Sequence, residues 1–184
     1  MSKPIETLMN EHRLIEDVLD ALLVFSGQSD LSPESNRPTA GQFVEFFRQF
    51  ADRRHHGKEE DLLFKEMQRH GMPADTGPIG VMLTEHDIGR RCVGAIATVA
   101  EGSGELSAEE QTNLREAAQE FVPMLRQHIQ KEDQILFPMA DNLLADDEIT
   151  ALDARFDEFD TSVIGEADDK RLRDLAQNLT NEWR

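Results

Sequence analysis

Residues 55–64 of the chain read HHGKEEDLLF, and residues 128–137 read HIQKEDQILF. Aligned without a gap, both segments follow the pattern His-x-x-Lys-Glu-acid-x-apolar-Leu-Phe. Residues four apart in a helix lie about 6 Å apart along its axis and about 40° around it. His55 and Glu59 can therefore reach one centre from a single helix face, and so can His128 and Glu132. The repeat favours a helical bundle with a metal site between facing helices.

A fainter repeat precedes each of these segments. Residues 11–15 read EHRLI and residues 85–89 read EHDIG, so each half of the chain adds one more histidine. The neighbours of all four histidines at helical spacing are largely apolar, which predicts that the histidines point into the core. His12 aligns with Ile5, Leu8, Ile15 and Leu19, His55 with Val44, Phe47, Ala51 and Leu62, His86 with Ile79, Met82, Leu83 and Val93, and His128 with Phe121, Met124, Leu125 and Ile135.

Glycine and proline clusters divide the chain into predicted helices. These helices cover residues 4–25, 39–70, 78–101, 107–138, 149–163 and 168–183. Capping boxes are predicted at Thr39 with Gln42 and at Ser107 with Glu110. Short connections favour an all-α fold, an up-down-up-down antiparallel four-helix bundle. We predict that residues 1–144 form this bundle and that residues 145–184 form a C-terminal helical extension packed on it.

The composition excludes several classes of function. The 184 residues carry a formal net charge of −18, which repels phosphate backbones and argues against nucleic-acid binding. No apolar run approaches the roughly 20 residues that span a membrane, and the first residues lack the layout of a secretory signal. Cys92 is the single cysteine, so no internal disulfide can form. We therefore expect a cytoplasmic protein without a membrane or nucleic-acid partner.

Burial of the four histidines and two glutamates is the argument for a metal. Six buried titratable groups without a cation would cost several kcal/mol per unpaired charge, whereas a bound metal compensates them together. Imidazole and carboxylate ligands suit iron, manganese or zinc, and the lack of cysteine ligands argues against a structural zinc site. The predicted metal ligands are His12, His55, Glu59, His86, His128 and Glu132.

Other candidate residues separate by the same criterion. His56 continues a polar face and is predicted to be exposed. His70 precedes Gly71 at a helix end, where the helix dipole favours a cation. Cys92 is predicted to be a small buried hydrophobic residue. Asp133 is an alternative ligand to Glu132, because His128-x-x-x-x-Asp133 is also a possible ligand spacing.

These motifs resemble the hemerythrin-like, or HHE cation-binding, family over residues from about 5 to 140. The resemblance rests on Glu11-His12-Arg13, on His55-x-x-x-Glu59, on Glu85-His86-x-x-Gly89-Arg90 and on His128-x-x-x-Glu132, in this order. It implies a four-helix bundle with two iron ions, bridged by the two carboxylates and an oxo or hydroxo group. The four histidines would be terminal ligands, and Glu59 and Glu132 would bridge.

The chain departs from the oxygen-carrying members of that family on the third helix. Those proteins have two histidines four residues apart there, whereas Met82 and Arg90 flank His86 here. Four histidines and two carboxylates are closer to the iron-sensing and iron-sulphur-repair relatives. A missing ligand leaves an open position, which favours reaction with a ligand over reversible oxygen carriage. Glu85 or Arg90 would tune the basicity of the ligands.

The resulting hypothesis is a di-iron protein that handles oxygen, nitric oxide, peroxide or iron itself in the cytoplasm. Its partner would be a small diatomic ligand or peroxide, and the chain would be a monomer or a weak homodimer. The alternatives are an iron-sensing or iron-storing module without catalysis, a peroxidase or iron-sulphur repair protein, and a metal-free structural bundle. Phe156, Phe159 and Trp183 in the C-terminal helices either cover the bundle or form a partner surface.

Overall fold

A computed structural model describes all 184 residues. It contains six helices and no strand. We number them α1 (Lys3–Ser26), α2 (residues 36–69), α3 (Gly77–Ala100), α4 (residues 108–143), α5 (Asp146–Val163) and α6 (Glu166–Glu182). Helices α1 to α4 form the antiparallel bundle, and α5 and α6 pack on its side. The predicted fold class is therefore confirmed, and the turn between α4 and α5 lies at residues 144–145.

Of the two capping boxes predicted from the sequence, only the one at the start of α4 is present in the structure. At the start of α4, the Glu110 N–H donates to the Ser107 hydroxyl, and the Ser107 N–H donates to the Glu110 carboxylate. This capping box satisfies two amides that have no partner within the helix. The capping box predicted at Thr39 is wrong, because α2 already begins at Asn36. The Thr39 hydroxyl instead donates to the Ser35 carbonyl one turn earlier.

Wide π-turns interrupt both helices that carry the His-x-x-x-Glu segments. The Phe64 N–H bonds to the carbonyl of Glu59, and the Phe137 N–H bonds to the carbonyl of Glu132, in each case five residues back. Such a turn holds one residue more than an α-turn and is common at functional sites. Two equivalent glutamates therefore each begin an irregular turn of the bundle.

These π-turns shift the buried face by one residue. Leu63 and Leu136 are buried, while Leu62 is only partly buried and Ile135 is 53% exposed. The prediction that Ile135 continues the core stripe of its helix is therefore wrong. A strict α-helical period carries Ile135 inward, but the extra residue of the wide turn rotates it out to solvent.

A polar layer divides the core of the bundle into two apolar clusters. One cluster has 30 buried residues and the other has 13. On α1, Ile15 belongs to the larger cluster and Leu8 to the smaller one, and His12 lies between them. The other three bundle helices repeat this order, so the candidate ligands cross the bundle as one layer between apolar packing on both sides.

The C-terminal helices bury apolar side chains against the bundle. Phe156 of α5 belongs to the smaller cluster, and Leu172 of α6 belongs to the larger one. Phe159 comes so close to α2 that a Cβ atom at Gly57 would lie 2.7 Å from its ring. Glycine at this position thus permits the contact between α5 and α2. No helix combines the length and the apolar composition that crossing a bilayer requires.

Candidate metal centre

The six residues predicted as metal ligands meet in the polar layer, and each is at most 1% exposed. Together with His56, their side chains form two groups. Within each group the candidate ligand atoms lie within 4.8 Å of one another. The first group is His12, His55, Glu59 and Glu132, and the second is His56, Glu59, His86 and His128. Because Glu59 belongs to both groups, its carboxylate lies between them.

The two glutamates occupy equivalent places. Glu59 Oε1 lies 3.4 Å from His55 Nε2, and its Oε2 lies 3.5 Å from His86 Nε2. Glu132 Oε2 lies 3.2 Å from His12 Nε2 and 3.1 Å from His128 Nε2. Each carboxylate thus reaches one histidine from either group. Two cations bound in the two groups would share both carboxylates.

Asp133, the alternative to Glu132, points away from the centre. Its Oδ1 lies 2.7 Å from His12 Nδ1, and its other oxygen pairs with Arg13. Its carboxylate therefore faces the outer nitrogen of the imidazole, while the carboxylate of Glu132 faces the inner one. The structure brings Glu132 into the cluster and gives Asp133 the task of orienting His12.

Each histidine of the cluster has a carboxylate on its outer nitrogen. A carboxylate that accepts the Nδ1 proton fixes the ring orientation and leaves Nε2 free to bind a metal. The Nδ1 partners are Asp133 for His12 at 2.7 Å, Glu11 for His55 at 3.0 Å, Asp52 for His56 at 3.3 Å, Glu60 for His86 at 2.6 Å and Glu85 for His128 at 3.0 Å. Nε2 of His12 and Nε2 of His55 therefore have no partner, while Nε2 of His86 and Nε2 of His128 lie 3.1 Å apart.

These contacts explain the remaining letters of the repeat. Lys58 pairs with Glu11 and Lys131 pairs with Glu85, so the lysine holds the carboxylate that orients the histidine three residues before it. The acid after each shared glutamate orients the histidine of another helix. Glu85 was expected to tune the basicity of a ligand, and its contact with Nδ1 of His128 agrees with that role. Arg90 does not touch a histidine. It binds the Glu60 carboxylate at 2.7 Å, and Glu60 in turn contacts His86.

His56 corrects the sequence prediction. It was expected on a polar face, but it is 6% exposed and its ring stacks on that of His86 with 3.8 Å between centroids. The reason is local backbone geometry: residues Phe47–His56 form a π-helical stretch, in which α-helical spacing does not predict the buried face. A signal did exist in the sequence, because the repeat has Ile129 where the first segment has this second histidine.

The other predicted positions lie outside the cluster. His70 follows the end of α2, and its Nε2 lies 2.8 Å from the carboxylate of Glu148 at the start of α5. It joins two helices there. Cys92 is buried in the larger apolar cluster, as predicted. Met82 is buried in the smaller cluster and offers no donor to the centre.

The electrostatics of the centre are unbalanced without a cation. Burial and the nearby Glu132 raise the pKa of Glu59 well above its usual range. Burial opposes ionisation of Glu132 as well, but His128 and His12 lower the pKa of that carboxyl. Burial also disfavours the charged form of His128, yet Glu132 and Glu85 raise the pKa of His128 to about 9. Glu132 thus has two histidine partners that favour its ionised form, whereas Glu59 has none.

Several donor atoms of the centre have no partner in hydrogen-bond geometry, although Glu132 Oε2 lies within 3.2 Å of two histidine nitrogens. Buried polar groups in folded proteins are nearly always hydrogen-bonded, and each exception needs a cause. The unpartnered atoms are Nε2 of His12, Nε2 of His55, both carboxylate oxygens of Glu59 and both of Glu132. All of these atoms belong to the first group, and the two glutamates also lie next to histidines of the second group. A cation bound among these atoms would satisfy them together, so this donor set fits a metal.

A small cavity adjoins the three-histidine group. Its volume is about 100 Å³, and His56 forms part of its wall. Phe47, Val93 and Phe121 give the cavity an apolar lining, and Arg90 borders it with a partly exposed guanidinium. The share of one water in the liquid is about 30 Å³. The cavity therefore has room for water or a small diatomic molecule.

Comparison with known proteins gives one match. A family model described as "Hemerythrin HHE cation binding domain" matches residues 3–140. No curated protein matches the chain. The matched segment contains the seven residues of both candidate ligand groups and ends within α4. Helices α5 and α6 lie outside it.

Proposed function

Because the chain belongs to the hemerythrin HHE cation-binding family, we propose that it holds two iron ions in its core and handles oxygen, nitric oxide or peroxide there. The observation that carries this proposal is the pair of adjoining ligand groups, one of which contains six unpartnered donor atoms. Nitrogen and oxygen donors of this kind suit iron. Bound iron would supply the redox chemistry, while the chain supplies ligands, burial and a dry surrounding.

The two ligand groups differ in their number of histidines. His12 and His55 would serve one iron, and His56, His86 and His128 would serve the other. Glu59 and Glu132 would be shared between them. The half with two histidines has fewer nitrogen donors, so a water molecule or an exogenous ligand would complete its coordination. The cavity lies beside His56 at the other half, so we expect an oxygen, nitric oxide or peroxide molecule to enter next to His56 and to bind at the two-histidine half.

His56 also changes the comparison with the oxygen carriers of this family. The sequence alone gave four histidines and argued against reversible oxygen binding. With His56 the cluster contains five, and the fifth comes from α2 where those carriers use α3. Reversible binding of oxygen therefore belongs among the outcomes that an experiment must separate.

A second candidate function is iron sensing. The raised pKa of Glu59 and the unpartnered donors indicate that the bundle is less stable without metal. Metal occupancy would then be coupled to folding, and a partner could respond to the folded state. This module would need no reaction at the iron.

The direct test is anaerobic loading of the metal-free protein with ferrous iron, followed by metal analysis and visible spectroscopy. We expect about two iron ions per chain, as in other bundle-core carboxylate sites. Exposure to oxygen, nitric oxide or peroxide should then change the spectrum, and removal of the gas shows whether the change is reversible. Less than one iron per chain would refute the di-iron proposal, and an unchanged spectrum with every ligand would favour sensing.

Replacement of His56 tests the three-histidine half separately. We expect His56→Leu to reduce the bound metal from about two ions to about one, because the second group loses a nitrogen donor while the first stays intact. Metal analysis after equal loading measures this. Gln127→Leu at an exposed position of α4 is the control, since Gln127 lies outside every candidate ligand group. If both variants retain two ions with equal affinity, His56 is a buried structural residue and not a ligand.

A further inference from the structure

A buried ionic cluster joins the metal centre to the two helices outside the family match. Lys58 of α2 is fully buried, and its Nζ pairs with Glu11 of α1 and lies 3.3 Å from Asp160 of α5. Arg54 of α2 donates two hydrogen bonds to Asp160, at 2.9 and 2.7 Å. It also pairs with Asp169 of α6. Four helices thus contribute charges to one cluster.

Glu11 connects this cluster to a candidate ligand. One carboxylate oxygen lies 3.0 Å from Nδ1 of His55, and the other contacts Lys58 and lies 3.5 Å from Nε of Arg54. The carboxylate that orients His55 is therefore shared with two buried cations. Asp160 contacts both of these cations. Only two side chains, Lys58 and Glu11, separate the α5 carboxylate from the imidazole.

The charge of Asp160 decides how strongly Glu11 can act on His55. Buried cations need close anionic partners, because desolvation costs several kcal/mol per ion. With Asp160 present, Lys58 and Arg54 have a second carboxylate. Without it, Arg54 would keep Asp169 but Lys58 would have Glu11 alone, and Glu11 would become a weaker acceptor for the His55 Nδ1–H. A weaker acceptor lowers the basicity of Nε2 and its affinity for a metal.

The other half of the centre lacks this support. Lys131 and Glu85 repeat the pair formed by Lys58 and Glu11, but the Lys131 side chain is 37% exposed and makes no ionic contact with α5 or α6. Water can solvate the charge of the exposed Lys131, whereas the buried Lys58 needs a protein carboxylate. The C-terminal helices therefore act on the two-histidine half alone. Phe159 keeps α5 at this place through its close contact with Gly57.

We propose that Asp160 is a positioning residue for His55, and that α5 and α6 thereby form part of the metal centre. The inference rests on the proposed metal-binding function. In this arrangement the C-terminal helices do more than cover apolar surface. They supply the carboxylates that balance the buried cations beside the two-histidine half.

The experiment compares Asp160→Asn with Glu158→Gln in the full chain, with Zn²⁺ as a diamagnetic probe. Glu158 lies on the same helix, is exposed and makes no ion pair, so the control removes the same charge. We expect Asp160→Asn to weaken one of two Zn²⁺ sites about tenfold, the lower end of the effect known for groups that orient ligands. Glu158→Gln should bind as the unaltered protein does, and Asp160→Glu should restore the affinity.

Nitrogen NMR of the histidine side chains gives a readout that packing alone would not move. In Asp160→Asn, the ¹⁵N shifts of His55 should change and its Nδ1 proton should exchange faster, while His128 stays the same. Equal affinity and equal His55 signals in Asp160→Asn and Glu158→Gln would overturn the proposal. Equal losses in Asp160→Asn and Asp160→Glu would overturn it too, because they indicate packing.

The unaltered protein gives a further check that does not depend on a variant that folds. The Nδ1 proton of His55 should exchange more slowly than that of His128, because its carboxylate partner is held by a buried lysine. Equal exchange rates would count against the proposal. A protein that binds no Zn²⁺ or iron would refute the proposed function, and these proton measurements on the metal-free chain would still decide the role of Asp160.

Discussion

Glu59→Gln is expected to abolish binding of both metal ions while making the metal-free protein more stable. Glu59 is the only residue that belongs to both candidate ligand groups, so its loss removes a donor from each metal. A neutral amide is a poor substitute for a shared carboxylate ligand. Metal analysis after loading at saturating metal should give less than a tenth of the metal bound by the unaltered chain, which corresponds to an affinity lower by more than about 100-fold, roughly 2.7 kcal/mol per site.

The stabilisation of the metal-free protein follows from the raised pKa of Glu59. A carboxyl whose folded pKa exceeds its unfolded value contributes fully to stability only below the unfolded pKa, and the contribution disappears as the pH rises through the folded pKa. At neutral pH the buried group therefore destabilises the metal-free fold. Glutamine has nearly the same shape and does not ionise. We expect a gain of about 1–2 kcal/mol in the free energy of unfolding at pH 7, increasing with pH.

Glu60→Gln is the matched control, because Glu60 adjoins Glu59 and contacts His86 only on its outer nitrogen. It should retain two metal ions at saturation with an affinity lower by about 10- to 100-fold. Urea unfolding of both metal-free variants measures stability. Similar metal losses in the two variants would contradict the assignment of Glu59 as the shared ligand, and a less stable metal-free Glu59→Gln would contradict the electrostatic argument.

The repeat made much of the centre predictable from sequence. His55, Glu59, His128 and Glu132 are spaced for an α-helix face, and in α4 the π-turn begins only at Glu132, so the spacing holds up to the ligands there. Beyond them it fails, as Ile135 shows. In α2 the π-helical stretch Phe47–His56 precedes Glu59, and the α-helical pattern misplaced His56. Side-chain patterns record which residues are apolar, and they do not record whether a backbone amide bonds four or five residues back. The register of the hydrogen bonds was therefore beyond the reach of the pattern.

Burial of charged residues was the second feature that sequence could not provide. Lys58 was visible as part of the repeat, yet a lysine is expected at the surface. It is buried because Glu11 and Asp160 lie 47 and 102 residues away along the chain and surround it in the fold. The equivalent Lys131 stays partly exposed although its local sequence follows the same pattern. Only the tertiary packing of α5 distinguishes the two.

Removal of the metal is expected to lower the thermal stability of the protein strongly. A metal that binds the folded chain alone stabilises it by about 4 kcal/mol at a free concentration of 1,000 Kd. For a chain of this size, each kcal/mol shifts the Tm by about 2–4 °C. Chelation should therefore lower the Tm by about 8–16 °C, measured by circular dichroism at 222 nm.

The same melting curves separate the two candidate functions. A sensor requires that the metal-free bundle lose helicity near the growth temperature, because its partner must distinguish the folded chain from the unfolded one. A reactive centre requires instead that the metal-free bundle stay folded, with the five carboxylates still holding the outer nitrogens of the histidines. Glu59→Gln is the control, since its Tm should not respond to metal or chelator. A shift below about 2 °C in the unaltered chain would show that metal binding and folding are uncoupled, and it would exclude the sensor.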